Sequence, residues 1–373
     1  MEVEKILESL ISFPTVTPNE CGIYQWIMDF VGDGFVWERL DCGEVKNLFG
    51  YRDFAPRKKN KKFHLCFAGH IDVVPAGEGW ESDPFVPVIK DGYIFGRGAQ
   101  DMKGGIASFL GAIQEFEGEE CDLIVSILLT SDEEGKALDG TKFVLEELRK
   151  RDFLPNFALV AEPTSHLKVA DTIKIGRRGS INGVIEIEGV QGHVAYPQKC
   201  VNPVELVGER LGKIAGIDLD GGDDFFEPSK IVVTDIRGGI ETCNVTPSRL
   251  KIMFNVRNST LSNEDTLRQY LQEVLKGLPY HLTLQVSSHP FVTQSSLFDV
   301  LSQSIEKITG YVPNASTTGG TSDARYFAAF GVEVLELGGL NDRIHAKNEC
   351  TSIKDLEILK EIFLDFLSQQ GGH

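Results

Sequence analysis

A chain of 373 residues, 42% hydrophobic and 25% charged, holds enough apolar material for about two domains with real cores. Its 55 acidic and 37 basic side chains leave a net charge of −18. That excludes no small-molecule chemistry, but it argues against sequence-independent binding to nucleic acid or an anionic membrane, which needs a cationic face. Seven scattered cysteines, at 21, 42, 66, 121, 200, 243 and 350, never fall in a CxxC spacing and read as reduced thiols of a cytoplasmic protein. The first residues, Met-Glu-Val-Glu-Lys, lack a basic n-region, and no apolar run could span a bilayer, so neither signal peptide nor membrane anchor is expected. The one basic run, Arg57–Lys62, reads as a solvated turn.

Residues 3–13 predict an amphipathic helix ended by Pro14 and Pro18. Phe63 to Phe67 is apolar enough for a buried parallel strand and runs into His70, Ile71 and Asp72. After a Gly-rich loop, 96–105, Ile106, Phe109, Leu110, Ile113 and Phe116 recur at helical spacing. Strand 123–129, helix 142–150 and strand 157–161 follow. This alternation implies an α/β fold, a mostly parallel sheet with helices on both faces.

Near residue 178 the pattern changes. Strand 181–188, helix 203–214, strands 230–236 and 249–257, helix 263–276 and strand 281–287 give the order β-α-β-β-α-β, an inserted α+β ferredoxin-like module. Asn202, Pro203 and Glu205 mark the start of the first helix, and Ser262 with Asp265 has capping-box spacing for the second. From about 290 the larger domain resumes with helix 297–309, a loop at 317–323, strand 332–337 and helix 353–368. The expected division is a discontinuous domain, 1–177 and 290–373, and an inserted domain, 178–289.

His70, Asp101, Glu133, Glu134, Glu162 and His345 all fall at strand ends or in the loops that follow, where open parallel α/β sheets build their sites. Imidazole and carboxylate without thiolate favour zinc, manganese or cobalt. One carboxylate can bridge two such ions. Three carboxylates and a hydroxide neutralise two divalent cations, which leaves one acid to move protons. Asp72 has the placement of the carboxylate that orients a ligating imidazole. Spacing alone does not separate the roles of Glu133 and Glu134.

The motifs GHIDVVP (69–75), GRGAQDMKGG (96–105), SDEEG (131–135), AEPT (161–164) and RIHAKNE (343–349) resemble those of the dinuclear-zinc aminoacylase and carboxypeptidase superfamily. GRRGS (176–180), GHVAYP (192–197), NVTP (244–247), FNVR (254–257) and GGTSDAR (319–325) narrow the resemblance to its succinyl-removing branch. The resemblance implies two Zn2+ per subunit, Co2+ being able to replace one: His70, Asp101 and Glu162 on the first, Asp101, Glu134 and His345 on the second. It also implies Asp72 and Glu133 as catalytic residues, Glu133 being the base, and His193 as an oxyanion donor reaching the partner subunit of a homodimer. The inserted domain would be lid and dimerisation module. Substrate carboxylates would fall to Arg178, Arg257, Asn244, Gly320, Thr321 and Asn341, since planar donors suit them. One departure stands out: Asp342 occupies a place where the family has a small or hydroxyl residue.

The implied reaction is hydrolysis of N-succinyl-LL-2,6-diaminopimelate to succinate and LL-2,6-diaminopimelate, in lysine and meso-diaminopimelate biosynthesis. Its rivals are an acetylornithine deacetylase-like deacylase or metallo-dipeptidase, a non-catalytic dimeric binding module, and a dinuclear phosphate-ester hydrolase, for which no phosphate clamp is evident.

Overall fold

A computed structural model describes residues 2–55, 62–118 and 121–371. Most of the basic run expected as a turn, 57–61, lies outside the described residues. The side chain of Lys62 is largely covered, ion-paired with Asp53 at 2.5 Å and bonded to the Ala55 carbonyl.

Helices α1 (Val3–Ile11) and α2 (Ile23–Val31) precede strands β1 (Val36–Arg39) and β2 (Asn47–Asp53). Three of these, α2, β1 and β2, lie in a stretch to which the sequence pattern assigns no element. Then come β3 (Phe63–His70), α3 (Lys103–Glu115), β4 (Leu123–Thr130), α4 (Thr141–Lys150), β5 (Phe157–Val160) and β6 (Thr172–Lys174). The middle of the chain forms β7 (Gly179–Glu188), α5 (Pro203–Leu211), β8 (Lys230–Gly238), β9 (Arg249–Asn258), α6 (Glu264–Val274) and β10 (Tyr280–Ser288). The chain closes with α7 (Leu297–Thr309), β11 (Asn314–Ser316), α8 (Ala324–Ala329), β12 (Glu333–Glu336) and α9 (Ile353–Gly371). Two compact units result: Met1–Gly176, Thr293–Ser316 and Ser322–His373 form one, Arg177–Val292 with Thr317–Thr321 the other.

The first unit is built on an eight-stranded sheet ordered β1-β2-β4-β3-β5-β12-β6-β11. Pairings β4–β3, β3–β5 and β5–β12 are parallel, and β1 and β2 add an antiparallel edge. On β3, alternate side chains go to opposite faces: Phe67 packs on Phe109 of α3 and Phe363 of α9, whereas His64 meets Phe153, just past α4. Helices therefore cover both faces, and the strands read as continuous apolar runs. β3 extends three residues beyond its apolar run because its ladder continues to His70, opposite Thr130.

That register aligns the carboxyl ends of β3, β4 and β5, which lead to His70, Glu133–Glu134 and Glu162. Two glycines let neighbours approach the last of these ends. A Cβ on Gly105 would lie 2.2 Å from the Ala161 carbonyl oxygen, and one on Gly338 2.2 Å from that of Glu162. Helix α3 and the segment after β12 thus close on Ala161–Glu162 from different sides, at distances only glycine allows.

In the second unit the sheet is ordered β8-β9-β7-β10, antiparallel throughout, the ferredoxin-like arrangement. Ile181, Ile185 and Ile187 of β7 and Leu250, Ile252, Phe254 and Val256 of β9 form its core with Val207 of α5 and Leu267 and Leu271 of α6. Asn202 caps α5, accepting the Val204 N–H. The cap of α6 lies one residue later than the sequence spacing suggests: Asn263 and Thr266 form the capping box, because the Ser262 hydroxyl is bonded to Asp220. Loop 317–321 belongs here as well, its Thr318 and Gly320 carbonyls facing the Arg177 guanidinium and its Thr317 hydroxyl donating to the Phe225 carbonyl.

Substituting Gly105→Ala is expected to cost about 1–3 kcal/mol, since the added methyl meets backbone that cannot rotate away. Thermal unfolding of the variant beside the parent checks this; an unchanged melting temperature would contradict it.

Candidate metal centre

His70, Asp101, Glu133, Glu134, Glu162 and His345 come together within the first unit. Asp101 is central. Its Oδ1 lies 3.2 Å from His70 Nε2 and its Oδ2 3.4 Å from His345 Nε2. Glu162 Oε1 lies 3.7 Å from His70 Nε2, and Glu134 Oε1 2.7 Å from His345 Nε2. Glu133 stands further back, its Oε2 4.0 Å from His70 Nε2. Two groups of donors lie within 4.8 Å of one another: His70, Glu133 and Glu162, and His70, Asp101 and Glu134.

Donors held about 2.0–2.2 Å from a tetrahedral cation stand about 3.4 Å apart. The imidazole–carboxylate separations here bracket that value, and one oxygen of Asp101 faces each imidazole. The residues therefore fit divalent cations, and the arrangement of Asp101 suits a bridge.

His70 is buried, and Asp72 holds it in a way the sequence does not foretell. Nδ1 of His70 lies 2.9 Å from the main-chain carbonyl of Asp72, whereas the carboxylate is 3.6 Å away. A carbonyl partner puts the proton on Nδ1 and leaves Nε2 as the ligating atom. The Asp72 carboxylate turns elsewhere, accepting from the Thr17 hydroxyl at 2.7 Å and from the N–H groups of Glu133 and Glu134 at 3.3 and 3.2 Å. One residue thus orients the imidazole and pins the loop that carries both glutamates.

Crowding these acids out of water has electrostatic consequences. Burial pushes the Glu133 carboxyl well above its usual range, and the nearby charges of Glu162, Asp323 and Asp101 add to that, against the opposing pull of His70. Burial likewise raises Asp72 to about 6. Burial opposes a charged His70, yet Asp101, Glu162 and Glu133 outweigh it and hold the imidazole well above its ordinary value. Hydrogen bonds to Asp101 and Glu134 lift His345 to about 10. Both imidazoles thus favour carrying positive charge beside the acids. His345 also sits at φ +59°, a left-handed conformation uncommon for a residue with a Cβ.

The remaining expected residues divide between the units. Asn341 lies in the first, its side chain 3.4 Å from His166 Nδ1. Arg178, His193, Asn244, Arg257, Gly320 and Thr321 lie in the second. Arg178 is 3.7 Å from the exposed Glu227, and burial together with the charge of Arg178 lowers the pKa of Arg257. His193 pairs with Val245 across a short two-stranded ladder beside Asn244. Its Nδ1 accepts the Ala195 N–H at 3.1 Å, so the proton of the neutral ring sits on Nε2, which can donate.

Residues passed over by the sequence reading lie inside the same motifs. Arg97 and Glu349 form a buried ion pair at 2.7 Å, and Glu349 also accepts from the N–H groups of Gly98, Gln100 and Asp101. Charges of opposite sign a few residues from Asp101 and His345 were the available signal. Among the described residues no helix is long and apolar enough to cross a membrane.

The geometry has counterparts among known proteins. The chain is 54% identical to succinyl-diaminopimelate desuccinylase of Helicobacter hepaticus, covering 97% of this chain and 96% of that one. Identity is 52% to the enzyme of that name from Wolinella succinogenes, over 98% and 99%. Among solved structures, an aminopeptidase from Bacillus cereus superposes with TM-score 0.78 at 21% identity, over 99% of this chain and 98% of that one. A dinuclear metal-binding peptidase from Bacillus subtilis gives 0.70 at 14%, over 98% and 96%. At such identities these two structures establish the fold alone. Residues 66–369 match the model of peptidase family M20/M25/M40; with more than half of its length matched, and relatives so similar end to end, the chain belongs to that family.

Proposed function

We propose that the chain is a metal-dependent amidohydrolase that cleaves N-succinyl-LL-2,6-diaminopimelate to succinate and LL-2,6-diaminopimelate, a step of lysine and meso-diaminopimelate biosynthesis. One observation carries the chemistry: the two oxygens of Asp101 are divided between two imidazoles. The full-length relatives carry the choice of acyl group.

His70, Asp101 and Glu162 would hold one Zn2+, and Asp101, Glu134 and His345 the other, and Co2+ could substitute at one of the two. Cations bound there would polarise the amide carbonyl and lower the pKa of attacking water. Glu133 is the general base, taking a proton from water and returning it to the leaving amine. Its 4.0 Å separation from His70, beside the close Glu134–His345 pair, supports that division of labour. Asp72 keeps His70 in the ligating tautomer and Glu133 at its post.

Arg178 and Arg257 supply planar donors for substrate carboxylates, supported by their mutual repulsion, which an incoming anion relieves. Asn244, Gly320, Thr321 and Asn341 complete the polar contacts, Gly320 with open space where a Cβ would stand. The second unit serves as lid and as the joint of a homodimer, in which His193 reaches the partner's site and donates from Nε2 to the developing oxyanion. Exposed Val194, Tyr196 and Ile240 near that ladder support an interface there. Seven free cysteines suit the cytoplasm.

A panel of N-acyl substrates, with products identified by mass spectrometry, tests the reading: succinyl-diaminopimelate should be preferred, and a preference for N-acetylornithine would overturn it. Glu133→Ala should keep both cations yet lose about 10²–10⁴ in turnover; full activity would remove Glu133 from the base role. Because both imidazoles must lose a proton to ligate, cation affinity should fall roughly ten- to a hundredfold for each pH unit lowered through neutrality. Titration of chelator-treated protein across pH measures this.

A further inference from the structure

Asp101 and His345 lie far apart in the sequence, on loops that follow different elements, yet His345 Nε2 stands 3.4 Å from Asp101 Oδ2. The contacts between those loops are specific. Glu349 accepts four donors from the Asp101 loop: Arg97 Nη1 at 2.7 Å and the Gly98 N–H at 3.0 Å on Oε2, the Gln100 and Asp101 N–H groups at 2.8 and 3.1 Å on Oε1. Arg97 continues from there to the Ala346 carbonyl at 3.2 Å and the Ala76 carbonyl at 3.1 Å. This ties down the far side of His345.

The near side is held by one amide. Gln100, the residue before Asp101, donates from Nε2 to Asp342 Oδ1 at 2.8 Å and accepts the Arg343 N–H on Oε1 at 2.8 Å. Both polar atoms of the side chain are used, so the amide fixes direction as well as distance. His345 is bracketed in this way: Gln100 grips two and three residues before it, Glu349 four residues after. Its left-handed φ of +59°, uncommon for a residue with a Cβ, is held between these two grips. Asp342 is the acceptor that completes the grip.

We propose that Gln100 and Asp342 are positioning residues that set the placement of His345 against Asp101, and so the cation affinity of the Asp101–Glu134–His345 group. The proposal rests on the metal reading above. It separates this pair from a plain structural tie, which would alter melting temperature without choosing between two cation sites.

The test is calorimetric titration of chelator-treated full-length protein with Zn2+, and separately with Co2+ to record ligand-field absorption. His345→Ala identifies which binding event belongs to the Asp101–Glu134–His345 group. Gln100→Ala should weaken that event about 10–100-fold, leave the other within about twofold of the parent, and change the Co2+ spectrum of the affected site. Asp342→Ala should reproduce much of the loss, the double variant should add little to Gln100→Ala, and Asp342→Asn, which keeps an acceptor oxygen, should restore parental affinity. Because Asp342 is exposed, its two variants supply the comparison even if Gln100→Ala folds poorly. Parental affinities in both alanine variants, or equal weakening of both events, would overturn the proposal while the metal reading stands. A parent protein that binds neither cation would overturn the metal reading itself, and this proposal with it.

Discussion

The structure depends on an electrostatic constraint: Asp72, Asp101, Glu133, Glu134 and Glu162 are gathered at one end of a buried sheet with two imidazoles among them. So many carboxylates cannot all be charged out of water unless positive charge is supplied. Protons can supply it: the acids hold His70 and His345 above their ordinary values, and burial makes Glu133 resist ionising. Divalent cations would supply it better, at the same positions and with the same ligand atoms. The site is thus built at a cost that cation binding offsets, and folding, protonation and metal uptake are linked through one set of side chains.

Rigid surroundings make this arrangement possible. The carboxylates sit at the ends of strands whose ladders fix their register, and Gly105 and Gly338 let helix and chain close on the backbone before Glu162. Asp72 spans His70 and the Glu133–Glu134 loop, while Arg97, Gln100 and Glu349 span the Asp101 and His345 loops. Each connection joins segments far apart in the chain. Each also uses a polar group that would be costly to bury unpaired.

Much of this was legible residue by residue. Apolar runs at 63–67, 123–129 and 157–161 marked the central strands because a strand buried on both faces leaves no polar alternation. The β1 and β2 edge went unassigned, being short and mixed in character, and the α6 cap shifted because Asp220, some forty residues upstream, holds the Ser262 hydroxyl. Lys62 was read as solvated and is largely covered, paired with Asp53. In each miss the deciding partner lies outside the local window. His70, Asp101, Glu134, Glu162 and His345 could be singled out as a group because imidazoles and carboxylates are chemically distinctive and these recur after strands; the fold brings them together.

The sequence alone determined the two architectures and the kinds of donor that gather at the sheet's end, since residue type and short-range period carry that information. Tertiary structure decided which atom does what. It gave one Asp101 oxygen to each imidazole, turned the Asp72 carboxylate from His70 towards Thr17 and the glutamate loop, and set Gln100 against Asp342. The physical reason is range: a hydrogen bond or ion pair is settled within a few ångströms, and only the folded sheet brings residues hundreds apart in the chain to that distance.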